Sequence, residues 1–97
     1  MQLTVVAKIE AKSGSEDLVY QELRNLIAPT QAEDGCINYD LHRSIENPAL
    51  FLFYENWINR ELWEAHMQSA HIKGFEQKTE AAIANWELLL LTLDTAS

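Results

Sequence analysis

Cys36-Ile37-Asn38-Tyr39-Asp40-Leu41-His42-Arg43-Ser44 and, after a short break, Leu50-Phe51-Leu52-Phe53-Tyr54-Glu55-Asn56-Trp57 decide how this chain folds. Both runs are rich in residues that suit a pleated surface, and the first alternates with the two-residue period of a strand. In the first run Ile37, Tyr39, Leu41 and Arg43 share one face, and Cys36, Asn38, Asp40 and His42 share the other. In the second, aromatic residues stand on both faces, the pattern of a strand covered on both sides. Asn47-Pro48 between them is a turn signal, so the two strands are expected to form a hairpin.

Upstream, Leu3 to Ala11 is β-branched and reads as another strand. Lys12-Ser13-Gly14-Ser15 is a turn; Ser13 or Ser15 suits a helix N-cap, with Glu16 placed for a capping box on Ser13. Leu18, Val19, Leu23, Leu26 and Ile27 follow a helical period and form its expected buried stripe. Pro29 should end or kink this helix, and Gly35 suits the position just beyond a helix end. Downstream, Asn59 is an expected N-cap for a short helix to about Gln68, with Leu62, Trp63, His66 and Met67 inward. Ser69 caps a second short helix with Ile72, Phe75 and Ile83 facing in, and Glu87 to Leu93 forms a last, apolar strand.

The order β-α-β-β-α-β, with the second helix broken in two, is the ferredoxin-like α+β plan: one four-stranded antiparallel sheet with its helices on one face. The other face then lacks a cover, and a second copy of the chain is the expected partner. With 97 residues, the chain fits one domain, 1–97. A chain of this size buries only about 60–68% of its unfolded surface, which also favours a homodimer.

Charge excludes several function classes. Seven basic residues stand against 15 acidic ones, a net of −8, and the seven never cluster. Nucleic acid and anionic membrane surfaces are therefore not expected partners. Cys36 is the one cysteine, so neither an internal disulfide nor a cysteine metal framework is available. Apolar runs such as Leu88 to Leu91 are far too short to span a bilayer, and no signal-peptide pattern precedes the first strand. A cytoplasmic protein is expected.

The chain carries no Gly-rich dinucleotide fingerprint, no P-loop and no His-Glu-x-x-His. His66 and His71 would lie about 140° apart on a continuous helix and share no face. They converge only if Ser69 breaks the helix, and no metal is expected. Glu55 is the more informative residue. It shares a strand face with Phe51, Phe53 and Trp57, where a carboxylate is costly unless hydrogen-bonded. It serves either as a structural hydrogen-bond partner or as a carboxylate that orients a histidine general base. Inward-facing His66 and His71 are the candidate bases, each with a plain alternative as a core or capping residue. Tyr39 and Trp57 can line a flat pocket, although strand aromatics are usually core.

Gly35-Cys36-x-x-Tyr39-x-Leu41, Pro48 and Phe51, Glu55-x-Trp57 and His66-x-x-Ser69-x-His71, in that order and spacing, resemble the antibiotic biosynthesis monooxygenase domain family from Leu3 to Leu93. The resemblance implies a ferredoxin-like domain whose sheets pair into a dimeric α+β barrel. It implies oxidation of a small aromatic quinol or phenol by O2, without flavin, haem or metal. The pocket would lie between sheet and helices, with His66, His71 and Glu55 catalytic and Tyr39, Trp57, Trp63 and Phe53 binding the substrate. Ser69 stands where the family has Thr and keeps the hydroxyl. Haem-degrading relatives use an Asn on the first strand, absent from Val5-Val6-Ala7-Lys8, and by spacing Glu76 takes the place of their haem ligand. Other relatives isomerise small molecules or have no known activity, so membership leaves the reaction open. A non-oxidative isomerase or ligand-binding domain and a purely structural dimerisation module remain as alternatives.

Overall fold

The computed structural model describes residues 1–94; residues 95–97, the tail of the expected 1–97 unit, lie outside the described residues. The elements are β1 (Leu3–Ala11), α1 (Glu16–Asn25), α2 (Ile27–Gln31), β2 (Cys36–Arg43), β3 (Leu50–Trp57), α3 (Arg60–Met67), α4 (Ala70–Thr79) and β4 (Ile83–Leu91). The strands form one antiparallel sheet in the order β2-β3-β1-β4. This is the ferredoxin-like α+β arrangement.

Strand registers separate the two faces. Val5, Ala7 and Ile9 of β1 stand opposite Glu55, Phe53 and Phe51 of β3 and opposite Leu90, Leu88 and Trp86 of β4. The helices cover this inner face. At the β2–β3 end it is solidly packed: Tyr39 stacks on Phe53 at 4.1 Å, Tyr20 of α1 stacks on Phe51 at 5.9 Å, and the Arg43 guanidinium lies 4.9 Å from the Tyr20 ring centre. Fully burying a side chain as large as Phe51 or Phe53 contributes about 1.5–3 kcal/mol. Among the described residues no helix covers the outer face, and Tyr54, Leu89 and Leu91 stand exposed there.

Several local details differ from the sequence reading. Leu18 is exposed; the α1 stripe runs through Val19, Leu23 and Leu26 instead. The N-cap Ser15 makes no side-chain cap bond, and Glu16 Oε1 accepts from the Gly14 amide in place of a capping box. A register shift between Cys36 and Asn38 leaves Ile37 exposed, off the face it was expected to share with Tyr39, while Cys36 packs partly buried against the core. One inserted residue in a strand has this effect on side-chain parity. The helix ends at Asn25, four residues before Pro29, where the proline ring would meet the carbonyl four residues back. β4 starts at Ile83 rather than Glu87, because Trp86, Leu88 and Leu90 keep a two-residue inward rhythm that begins before the apolar run. Ile83 is therefore a strand residue and not part of α4.

Candidate active site

Two helix caps build the site. Asn59 Oδ1 accepts from the Leu62 amide at 2.9 Å and starts α3, which buries Trp63 and His66 one turn apart. Ser69 Oγ accepts from the Ile72 amide at 3.3 Å and starts α4 in a new direction. The break between the helices cancels the rotation that would separate the histidines, and the His66 and His71 rings lie 5.9 Å apart.

Glu33, in the link between α2 and β2, fills the corner between them. Its Oε2 accepts from His66 Nδ1 at 2.5 Å and from His71 Nε2 at 2.9 Å. Gly35 makes this approach possible. Its φ of +87° is open to few side chains, and a Cβ there would lie 2.4 Å from Leu62 Cδ1 of α3. The chain carrying Glu33 thus runs close against the helix that carries His66.

His66 is 1% exposed, tilted against Trp57 at 4.8 Å and edge-on to Tyr39 at 5.5 Å. Burial lowers its pKa, while the hydrogen bond and charge of Glu33 act in the opposite sense. Nδ1 donates to Glu33, which leaves Nε2 as the free nitrogen of a neutral ring. Glu55 is 3% exposed, and its Oε1 accepts from Trp57 Nε1 at 2.9 Å. Burial pushes its pKa up to about 7, aided by the charge of Glu33 and opposed by the Trp57 hydrogen bond. Burial also raises the Tyr39 hydroxyl and lifts the Cys36 thiol to about 11, so neither is a ready anion.

A cavity of about 410 Å³ lies between the helices and the β1–β4 side of the sheet. Tyr39, Phe53, Glu55, Trp63 and His66 line it, and its wall is mostly apolar. Trp63 Nε1 is buried and has no hydrogen-bond partner among the described residues. Exposed Trp86, Glu76 and Glu80 line the same cavity toward solvent.

Five of the seven site residues read from the sequence therefore share one cavity. Trp57 does not line it; it backs His66 and holds Glu55. His71 does not line it either and stands on the far side of Glu33. The expected role of Glu55 as the histidine's orienting group is corrected: Glu33 has that place, because Trp57 on the same strand face takes the Glu55 oxygen. Glu33 was missed since it sits in the polar run Thr30 to Asp34, where nothing distinguishes it from Asp34. The one available signal was Gly35, a point of close approach two residues on.

The fold and this cavity define a small α+β domain with acid–base side chains set in an apolar pocket. The family model described as antibiotic biosynthesis monooxygenase matches residues 2–78, and the chain belongs to that family. The solved structure of PA3566 from Pseudomonas aeruginosa superposes with a TM-score of 0.93 at 34% identity, covering 97% of this chain and 95% of that one. "Putative monooxygenase Rv0793" of Mycobacterium tuberculosis is 33% identical over 73 residues, 75% of this chain and 71% of that protein. An uncharacterized protein of Synechocystis is 27% identical over 82 residues, 84% of this chain, and the chain spans only 56% of its length. No helix among the described residues is long and apolar enough to cross a membrane.

Proposed function

We propose that the chain is a monooxygenase that oxidises a small aromatic quinol or phenol with O2. One observation carries the reading: an apolar cavity of about 410 Å³ faced by a carboxylate-oriented histidine, His66, and a buried carboxyl group, Glu55. A structural dimerisation module would have filled this space. The family, and the name of the Mycobacterium relative, support oxygenation.

In this reading His66 Nε2 takes the phenolic proton, while Glu33 on Nδ1 fixes the tautomer and steadies the imidazolium that forms. The electron-rich anion gives one electron to O2, and the two radicals combine. Loss of water completes the balance: quinol plus O2 gives hydroxyquinone plus water. Glu55 relays protons, and the partnerless Trp63 N–H is suited to a substrate oxygen. Tyr39 and Phe53 hold the ring, and the apolar wall excludes water. The substrate supplies the electrons, so the reaction as proposed uses no cofactor. The uncovered sheet face with Tyr54, Leu89 and Leu91 supports a homodimer, the barrel arrangement expected of the family.

The test is O2 uptake with reduced naphthoquinols and hydroxylated anthrones, wild type beside His66→Ala to subtract autoxidation. Uptake well above the variant with an oxygenated product supports the reading; equal uptake across the panel overturns it. Conversion that persists under strict anaerobiosis would instead identify an isomerase, which the same acid–base pair suits.

A further inference from the structure

The corner of Glu33, His66 and His71 holds a second chemistry besides proton transfer. One carboxylate oxygen and two imidazole nitrogens, brought from the α2–β2 link, α3 and α4, have ligand atoms within 4.8 Å of one another. Oε2 lies 2.5 Å from one nitrogen and 2.9 Å from the other. Tetrahedral Zn²⁺ with bonds of about 2.0–2.2 Å spaces its ligand atoms about 3.3–3.6 Å apart. The nitrogens therefore have to move away from the oxygen by about 0.4–1.1 Å to admit an ion. Two imidazoles and one carboxylate suit Zn²⁺, Co²⁺ and similar divalent ions over Mg²⁺ or Ca²⁺.

The surroundings fit an open site. The side chains of Glu33 and His71 are partly exposed, at 19% and 23%, whereas that of His66 is 2% exposed. A fourth position can therefore hold water on the solvent side, away from the cavity. Three elements supply the donors, and each is fixed by a cap or close packing: Asn59 sets the start of α3, Ser69 the start of α4, and Gly35 the approach of the Glu33 segment.

We infer that Glu33, His66 and His71 form a divalent transition-metal site on the back of the cavity, and that its occupation switches the cavity off. An ion on His66 Nδ1 takes the lone pair that now carries the proton toward Glu33, so the ring proton moves to Nε2. The face of His66 turned to the cavity then donates a proton and no longer accepts one. The switch, though not the metal site, rests on the role of His66 proposed above.

Zn²⁺ titrated into the metal-free full chain by calorimetry, with Co²⁺ absorption as a second probe, tests the site. One ion per chain is expected. Affinity should fall at least tenfold in Glu33→Gln and in His71→Ala and stay unchanged in His42→Ala, the remaining histidine, which lies exposed on the outer face. Long-range imidazole nitrogen NMR of the wild type checks the same point without a variant: Zn²⁺ should move the His66 proton from Nδ1 to Nε2. No saturable binding, binding indifferent to Glu33→Gln and His71→Ala, or an unmoved His66 tautomer would overturn the site. Quinol oxidation that continues at full rate with Zn²⁺ bound would overturn the switch. A chain that binds Zn²⁺ as described but oxidises no quinol would refute the proposed reaction and leave the metal site standing.

Discussion

Glu33 and Glu55 are carboxylates on opposite sides of one imidazole region, and their surroundings give them different work. Glu33 stands on a link near solvent, where one oxygen receives two imidazole N–H groups. Glu55 stands in the middle of a sheet with one indole N–H for company, and burial holds on to its proton up to about pH 7. A carboxylate met by two imidazole donors can orient a base; a buried carboxyl with a single donor becomes an acid–base group itself. Apolar neighbours mark Glu55 in the sequence, whereas only the packing shows what Glu33 does.

The sharpest way to break the comparison is to remove the imidazole. His66→Ala should lower quinol turnover about 10²–10⁴-fold, the usual range for a positioned base. Circular dichroism checks that the variant folds. A rate within a factor of a few of wild type would move the base to Glu55.

Glu55→Gln tests the other side through stability. The folded pKa of about 7 lies above the ordinary 4.5, so native Glu55 prefers its proton. Its contribution is full below about pH 4.5 and is lost as pH rises through about 7, a swing of about 3 kcal/mol. Urea unfolding at pH 5 and pH 8 should show this loss in wild type, and the loss should be absent from Glu55→Gln, whose side-chain amide oxygen still accepts from Trp57. Burial lowers the His66 pKa and gives an opposing slope in both proteins, so the subtraction isolates Glu55. Equal pH dependence in the two proteins would mean that Glu55 is solvated.

Much of this was legible in the sequence, and the limits are physical. Strand and cap signals are local, so β1, β3 and the Asn59 and Ser69 caps were readable from neighbouring residues. Glu55 was conspicuous because a carboxylate among Phe53 and Trp57 violates its local pattern. Glu33 violates nothing locally; its meaning comes from residues 33 and 38 positions away. The inward turn of Cys36 depends on a bulge, which leaves the alternation of β2 looking intact. The cavity, too, is a property of spacing between layers. Ala7 and Leu88 line it, and their sequence neighbours read as ordinary strand.

The Glu33 side can also be disturbed without touching a titratable group. Gly35→Ala adds a Cβ 2.4 Å from Leu62 Cδ1 and forces alanine to a φ near +87°. Strain and overpacking together should cost about 2–4 kcal/mol in chemical denaturation. In Gly35→Ala/Leu62→Ala the overlap is gone but the backbone strain remains, so the pair should lose less than the two single changes summed. Additive losses would show that the segment does not press on α3 and that Glu33 is held in some other way.

The smallest expected effect belongs to Ser69. Ser69→Ala removes a cap bond of 3.3 Å, a long one, and should cost about 0.5–1 kcal/mol of stability. Its value lies in where the effect appears. The cap sets the first turn of α4 and so the place of His71, while His66 sits on α3 under its own Asn59 cap. Loosening α4 should therefore disturb the bond between His71 and Glu33 and spare the bond between His66 and Glu33. Imidazole NMR should show a changed His71 environment with His66 still protonated on Nδ1, and quinol turnover should fall by no more than a few-fold. A His66 resonance that shifts as much as that of His71 would mean that the corner moves as one rigid unit, with Glu33 tying both helices together.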